Sequence, residues 1–259
     1  MQTTTLLNVE REGAVATLTL NRPDQRNALS VALMTEVIEA LGELREDPET
    51  RVVVLAGAGP AFCAGHDLGE MVGRELEAYT EIFGLCTRMM SAIHELPQPV
   101  IARVHGIATA AGCQLVAACD LAVAASDARF ATPGVKIGLF CSTPMVEVSR
   151  AVGRKRALEL LLTGVPIDAA TAADWGLINR VVEPAELEAA TGELAQQIAA
   201  ASSLTVSIGK RAYYEQIDLG LDRAYAHCQD VMSRNATAED AQEGMGAFLE
   251  KRPPTWRGR

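Results

Sequence analysis

HGIATAAGCQLVAACDLAVA, residues 105–124, decides the fold. The stretch before it, Val100–Val104, is a short apolar run of the kind that forms a buried strand. Gly106 through Gly112 then forms a turn of small residues, and a helix is predicted from about Ala111 to Cys119. Leu121–Ala125 reads as the next strand. A strand, a small-residue turn, a helix and a second strand in such short compass predict an α/β chain, with the unusual residues on the loops at strand ends.

The same rhythm extends in both directions. Upstream, two alternating stretches near Leu6–Glu10 and Ala14–Leu20 predict a hairpin turning at Glu12-Gly13. Ser30 is placed to cap a helix whose Met34, Val37, Ile38, Leu41 and Leu44 follow a helical period. Val52–Ala56 reads as a buried strand running into the glycine-rich loop Gly57–Gly65, and a second helix is expected over Glu75–His94. Downstream, Pro133, Gly134 and Gly138 mark a turn-rich stretch. From about Arg154 the texture becomes helical, with helices expected at Lys155–Leu162, Pro184–Ala200, Asp218–Arg234 and Glu239–Glu250 and no further strands. A helical third without strands cannot easily close its own core. The expected division is therefore a core over residues 1–200 and a helical appendage over 201–259 that packs on the core or on another subunit.

Composition narrows the function. The chain has 259 residues, of which 49% are hydrophobic, 22% charged and 4% aromatic, so Ala, Val and Leu must fill the core. A formal net charge of −10 argues against a nucleic-acid surface, while a few local cations suffice for a phosphorylated small molecule. The six cysteines show no paired spacing, and the four histidines never stand at metal-ligand spacing with a cysteine, so neither disulfides nor a metal site are expected. The opening MQTTTLLNVEREG has no basic segment followed by an apolar one, and no apolar run is long enough to span a bilayer. The corresponding expectation is a cytoplasmic protein with free thiols.

Five segments carry a resemblance: LNRPDQRNAL (20–29), FCAGHDL (62–68), HGIATAAGCQLVAACDLAVA (105–124), FATPGVKIGLF (130–140) and EGMGAFLEKRPPTW (243–256), with WGLINRVV (175–182) in keeping. In this order, over nearly the whole chain, they resemble the crotonase (enoyl-CoA hydratase/isomerase) superfamily. The resemblance implies a spiral of ββα units, a helical C-terminal trimerisation region giving a homotrimer or homohexamer, and an acyl-CoA thioester as substrate with no permanently bound cofactor. It also implies an oxyanion hole of two backbone N–H groups, from His66 and from Ala111 in the Ala110-Ala111-Gly112 turn. Independently of any family, Ala111 opens a predicted helix whose free N–H groups favour an anion.

The same carry-over implies CoA contacts from Arg26 by charge and from Ala28 by its carbonyl. Ala64, Gly65, Asp67 and Leu68 would line the ligand, and Phe248 and Lys251 would reach the CoA of a neighbouring subunit. A basic residue that many members place three positions after the first donor is Gly69 here, which shifts phosphate binding onto Arg26 and Lys251.

The pattern breaks where proton chemistry is expected. Hydratases of the family use two glutamates, and the matching positions are Gln114 and Gly134, neither of which titrates near neutrality. His66 is the first candidate to substitute, ahead of Cys113, Cys141, Ser142, Asp67, Glu70 and Glu147. His105 is expected to hydrogen-bond locally, and His94 and His227 fall in helices. The phrases ATAAGCQL and GLFCSTP resemble the enoyl-CoA hydratase domain-containing protein 3 group, which shares the loss of both glutamates. AGHD alone resembles methylmalonyl-CoA decarboxylase-like members, whose reaction needs an enolate-stabilising site but no initiating base. Three functions are thus in play: an enoyl-CoA hydratase-like enzyme with altered chemistry, a CoA-thioester decarboxylase or hydrolase, and a non-catalytic CoA-binding protein.

Overall fold

The computed structural model describes residues 5–259; the first four residues of the opening segment lie outside the described part. The hairpin forms as expected, from β1 (Leu7–Glu12) and β2 (Val15–Leu20), turning at Gly13. Helix α1 (Val31–Arg45) starts at Ser30, whose hydroxyl accepts from the Leu33 N–H at 3.2 Å. Its apolar stripe, Leu33, Met34, Val37, Leu41 and Leu44, is buried. β3 (Val52–Gly57), the one-turn α2 (Leu68–Met71), α3 (Leu76–Glu95), β4 (Val100–Val104), β5 (Ile107–Thr109), α4 (Ala111–Ala118), β6 (Leu121–Ala125) and β7 (Arg129–Ala131) follow.

The main sheet has the order β1-β2-β3-β4-β6 plus one further edge strand, and every pair after the hairpin is parallel. Parallel strands are usually covered on both faces, and these are. Along β3, Val53 and Leu55 face a core shared with α1, α3 and α4, while Val52 and Val54 face a second cluster. That second cluster is closed by Leu187, Leu194, Ala195 and Ala199 of a later helix. The period of two along the strand assigns each side chain to its layer.

The expectation of a strandless C-terminal third is corrected. After α5 (Ser142–Ala151) and α6 (Arg154–Thr163) come β8 (Ile167–Asp168), α7 (Ala169–Trp175) and β9 (Arg180–Val182). β9 is the missing edge of the main sheet, parallel to β6, and β8 completes a small second sheet with β7 and β5. Two or three residues are too few to leave a periodic trace, and these strands exist because a neighbouring strand is already in place. α8 (Leu187–Ala199) closes the second cluster.

Three helices end the chain: α9 (Ser203–Gln216), absent from the expected helices, then α10 (Leu221–Asn235) and α11 (Glu239–Glu250). α9 is docked by a buried ion pair. Lys210 Nζ lies 2.7 Å from Asp120 Oδ2 and also donates to the carbonyls of Ile93 and Gln98, while the Tyr214 hydroxyl donates to Asp120 Oδ1 at 2.9 Å. The tail returns to α11 through buried Asp240, which accepts from Ser202 Oγ at 2.6 Å and from the N–H groups of Arg257 and Gly258. Taken as whole residues, those of α9 and α10 all stay at least partly exposed within the chain. Among the described residues no helix is long and apolar enough to cross a membrane.

Candidate active site

The loop after β3 runs into an extended segment, Cys63–His66, clamped between two neighbours. On one side Ala64 N–H donates to Arg26 O at 3.0 Å, Leu29 N–H to Gly65 O at 2.7 Å and Asp67 N–H to Leu29 O at 3.0 Å. On the other, Cys63 N–H donates to Ile107 O and Thr109 N–H to Cys63 O. This ladder brings Arg26, Ala28, Ala64, Gly65 and Asp67 together. It leaves the His66 N–H without a protein acceptor among the described residues.

The second turn lies against the first. Ala110 N–H donates to Ala131 O at 2.8 Å, and Ala110 adopts φ 52°, ψ −118°, a region that a Cβ opposes. The next residue, Ala111, is the first of α4, so its N–H is an orphan donor at a helix start. Gly65 has φ 92°, and a Cβ there would lie 2.9 Å from the Cβ of Ala110 and 3.3 Å from the nitrogen of Ala111. Only glycine admits this approach. The N–H groups of His66 and Ala111 are thus both without a protein acceptor among the described residues, and both residues line one cavity. Strain at a non-glycine in such a conformation costs about 1–3 kcal/mol, of which glycine's extra unfolded-state entropy cancels part. Ala110→Gly is accordingly expected to raise stability by about 1 kcal/mol, read as a higher urea midpoint.

Both turns open on a cavity of about 620 Å³ walled by Leu68, Met71, Phe83, Ile137, Leu139 and Phe140. Leu68 stays 49% exposed at its mouth. Cys141 and Ser142 line another side, and no Asp or Glu among the described residues does. His66 lines it with its ring edge-on to Phe83, centroids 5.5 Å apart. Burial pulls the imidazole down to about 4, so the ring is neutral above that pH.

Gln114 follows Ala111 by one helical turn and is 3% exposed, with Oε1 lacking a protein partner. Gly134 is buried beside Cys141. The other candidates stand elsewhere or are engaged. Asp67 caps α2 through the Gly69 N–H and pairs with Arg22 Nη2 at 2.9 Å. Glu70 accepts from the Val31 N–H, and Glu147 pairs with His94 at 3.5 Å, outside this cavity. Cys113 is fully buried, and burial pushes its thiol up to about 12. His105 makes the expected local contact, its Nε2 2.8 Å from Gly59 O.

Two residues the sequence reading passed over organise the site. Arg22 bridges Asp67 and the Ala28 carbonyl, so that carbonyl, expected to face a ligand, already accepts one hydrogen bond. Asn27, buried at φ 56°, accepts from the Arg22 N–H and donates to Ala58 O and Ala61 O at 2.8 Å each. Asparagine is among the few residues that tolerate positive φ, which is the one signal its position carried. Arg26 is exposed, and no residue of α9–α11 lines the cavity, so Phe248 and Lys251 lie away from the site within one chain.

The fold is shared with known proteins. A mitochondrial enoyl-CoA hydratase domain-containing protein 3 from Rattus norvegicus is 43% identical over 252 residues, covering 97% of this chain and 84% of that protein. The crystal structure of an enoyl-CoA hydratase from Mycobacterium smegmatis superposes with a TM-score of 0.96 at 52% identity, covering 98% and 99% of the two chains. The human enoyl-CoA hydratase domain-containing protein 3 gives a TM-score of 0.95 at 42% identity, covering 97% and 100%. The rat, frog and human relatives of that group are named mitochondrial, which overturns the cytoplasmic expectation. That expectation rested on free thiols and an unremarkable opening segment, and reduced thiols do not single out the cytoplasm. The model of the enoyl-CoA hydratase/isomerase family matches residues 10–259, and this chain belongs to that family.

Proposed function

We propose that the protein binds an acyl-CoA thioester with its carbonyl oxygen between the N–H groups of His66 and Ala111, and acts as an enoyl-CoA hydratase-like enzyme that lacks the two usual glutamates. The observation that supports this reading is that two residues whose main-chain N–H groups lack a protein acceptor among the described residues, His66 and Ala111, line one largely apolar cavity. A thioester carbonyl gains negative charge as its enolate forms, and each preorganised donor contributes about 2.7–4 kcal/mol to that state. The CoA part would lie along Arg26, Ala28, Ala64, Asp67 and Leu68. Crystals soaked with acetoacetyl-CoA test the reading: both N–H groups should lie within about 3.2 Å of the thioester oxygen. A carbonyl directed elsewhere overturns it.

A second reading, decarboxylation of a CoA thioester, is favoured by the absence of any Asp or Glu from the cavity wall among the described residues. Loss of CO₂ leaves its electron pair on the α carbon, so the enolate forms without a base. Mass detection of products from a malonyl-type thioester separates it from hydration.

The segment 201–259 is proposed as an oligomerisation region. Leu221, Tyr225, Met232, Phe248 and Leu249 all stand exposed on α10 and α11, Phe248 and Leu249 at 81%. An apolar face of this extent on a single chain calls for a cover. A trimer or a pair of trimers would supply it and would bring Phe248 and Lys251 to a neighbour's ligand. Light scattering at micromolar concentration should give a mass of three or six chains; a monomer rejects the proposal.

A further inference from the structure

The His66 N–H is aimed from a distance. Gly65 O and the His66 N–H belong to one planar trans peptide, so they point in opposite directions and fixing one fixes the other. Gly65 O accepts from the Leu29 N–H at 2.7 Å, and the Asp67 N–H returns to Leu29 O at 3.0 Å. Leu29, 1% exposed, thus holds the peptide on either side of His66 and turns the His66 N–H away from itself. The Leu29 N–H shares its own peptide with Ala28 O, and that oxygen accepts from Arg22 Nη1. The Ser30 N–H also reaches it at 3.0 Å, a contact inside the same turn that moves with the turn. The other arm of the guanidinium, Nη2, lies 2.9 Å from Oδ2 of Asp67, the residue after His66. One side chain therefore holds both the head of this chain of two peptides and the residue next to its end.

We infer that Arg22 is a positioning residue, whose guanidinium fork sets the direction of the His66 N–H from outside the cavity. The inference rests on the carbonyl site proposed above, and Arg22 itself does not line that cavity. The ion pair is largely shielded, with 16% of the Arg22 side chain and 23% of Asp67 exposed, so water competes little with it. A guanidinium presents its N–H groups in a rigid plane and can hold two oxygens at a fixed mutual angle. An ammonium carries the same charge on a flexible stem without that fork. The Arg22 backbone is secured separately. Its N–H donates to Asn27 Oδ1 and its carbonyl accepts from the Asn27 N–H, at 2.9 Å each, so exchanging the side chain leaves the turn tied.

Acetoacetyl-CoA tests this, because its enolate absorbs at longer wavelength than its keto form. The pH of half-maximal enolate absorbance should be lower for the bound thioester than for the free one. In Arg22→Met it should rise by about one pH unit, a loss of about 10-fold in enolate stabilisation, part of the roughly 10²–10³-fold that removing a whole donor costs. Arg22→Lys keeps the charge and loses the fork, and should recover less than about half of that shift. The readout is taken on bound thioester, so a general loss of stability lowers the amount of folded protein and leaves the half-point in place. An unchanged half-point in Arg22→Met, or full recovery in Arg22→Lys, overturns the inference alone. Should Arg22→Met not fold, Arg22→Lys decides by itself: a raised half-point supports the inference, and one equal to that of the unmodified protein overturns it. If the thioester bound to the unmodified protein titrates like the free one, the carbonyl site falls as well.

Discussion

Hydration of crotonyl-CoA by this protein is expected to run about 10²–10⁴-fold slower than by a hydratase with two carboxylates, the usual worth of general acid–base assistance. The proposed pair of N–H groups could polarise the thioester, but no Asp or Glu lines the cavity among the described residues. Gln114→Glu is the change expected to recover the most, at least about 10-fold in kcat, because the side chain already stands one turn from Ala111. Its burial also holds an introduced carboxyl above the normal range, so the gain should grow as pH rises past neutrality. The companion change behaves differently. A Cβ on Gly134 would lie 2.0 Å from the Leu139 carbonyl oxygen and 2.8 Å from the Cys141 sulfur. Gly134 does not have positive φ, so the obstacle is space and not backbone conformation. Gly134→Glu should lower the melting temperature and the activity together. An ordinary hydratase rate in the unmodified protein would falsify this account of the site, and His66→Ala would then identify the alternative base.

Gly112→Ala should damage both stability and turnover. Gly112 lies in the first turn of α4, and a Cβ there would fall 2.2 Å from the Cys63 carbonyl oxygen and 2.8 Å from its carbon. That carbonyl accepts from the Thr109 N–H and belongs to the segment that presents His66. Forcing the two backbones apart therefore separates the His66 and Ala111 donors. Overpacking of this kind costs about 1–3 kcal/mol. A displaced donor should lower kcat/KM for a thioester substrate by about 10²–10³-fold. Gly192→Ala is the matched control. Gly192 lies within α8 with no atom within 4 Å of its would-be Cβ, so that change should stabilise by about 0.5–1 kcal/mol and leave kcat/KM unaltered. Parallel melting curves and rates for the two variants check the contrast; equal rates would detach the α4 approach from function.

The contrast between legible and hidden features follows from range. Ser30 and its apolar stripe specify α1 locally, and the alternation of Val15–Leu20 specifies β2, so both could be read from the chain. β9 and β8 could not, since their pairing partners β6 and β7 lie about 40–60 residues upstream and supply the order that so short a strand cannot generate itself. α9 escaped because its docking uses Lys210 and Tyr214 against Asp120 and not an apolar face. The turns at Gly65 and Ala111 were legible as small-residue segments in family register. The neutrality of His66, the space limit at Gly134 and the bridging by Arg22 arise from contacts between distant segments.

The strained turn at Ala110 has a consequence for how such a site tolerates change. The donors proposed for the thioester are amides of the main chain, and every replacement other than proline leaves the N–H in place. An alanine scan passes over Ala110 and Ala111 without altering them, and at His66 it deletes the ring while sparing the N–H. The loss it registers there belongs to the imidazole alone. Exchange of a single amide for an ester, which removes one hydrogen and preserves the shape, is the perturbation that reaches these atoms. A substitution at these positions is correspondingly felt through backbone shape and not through side-chain chemistry.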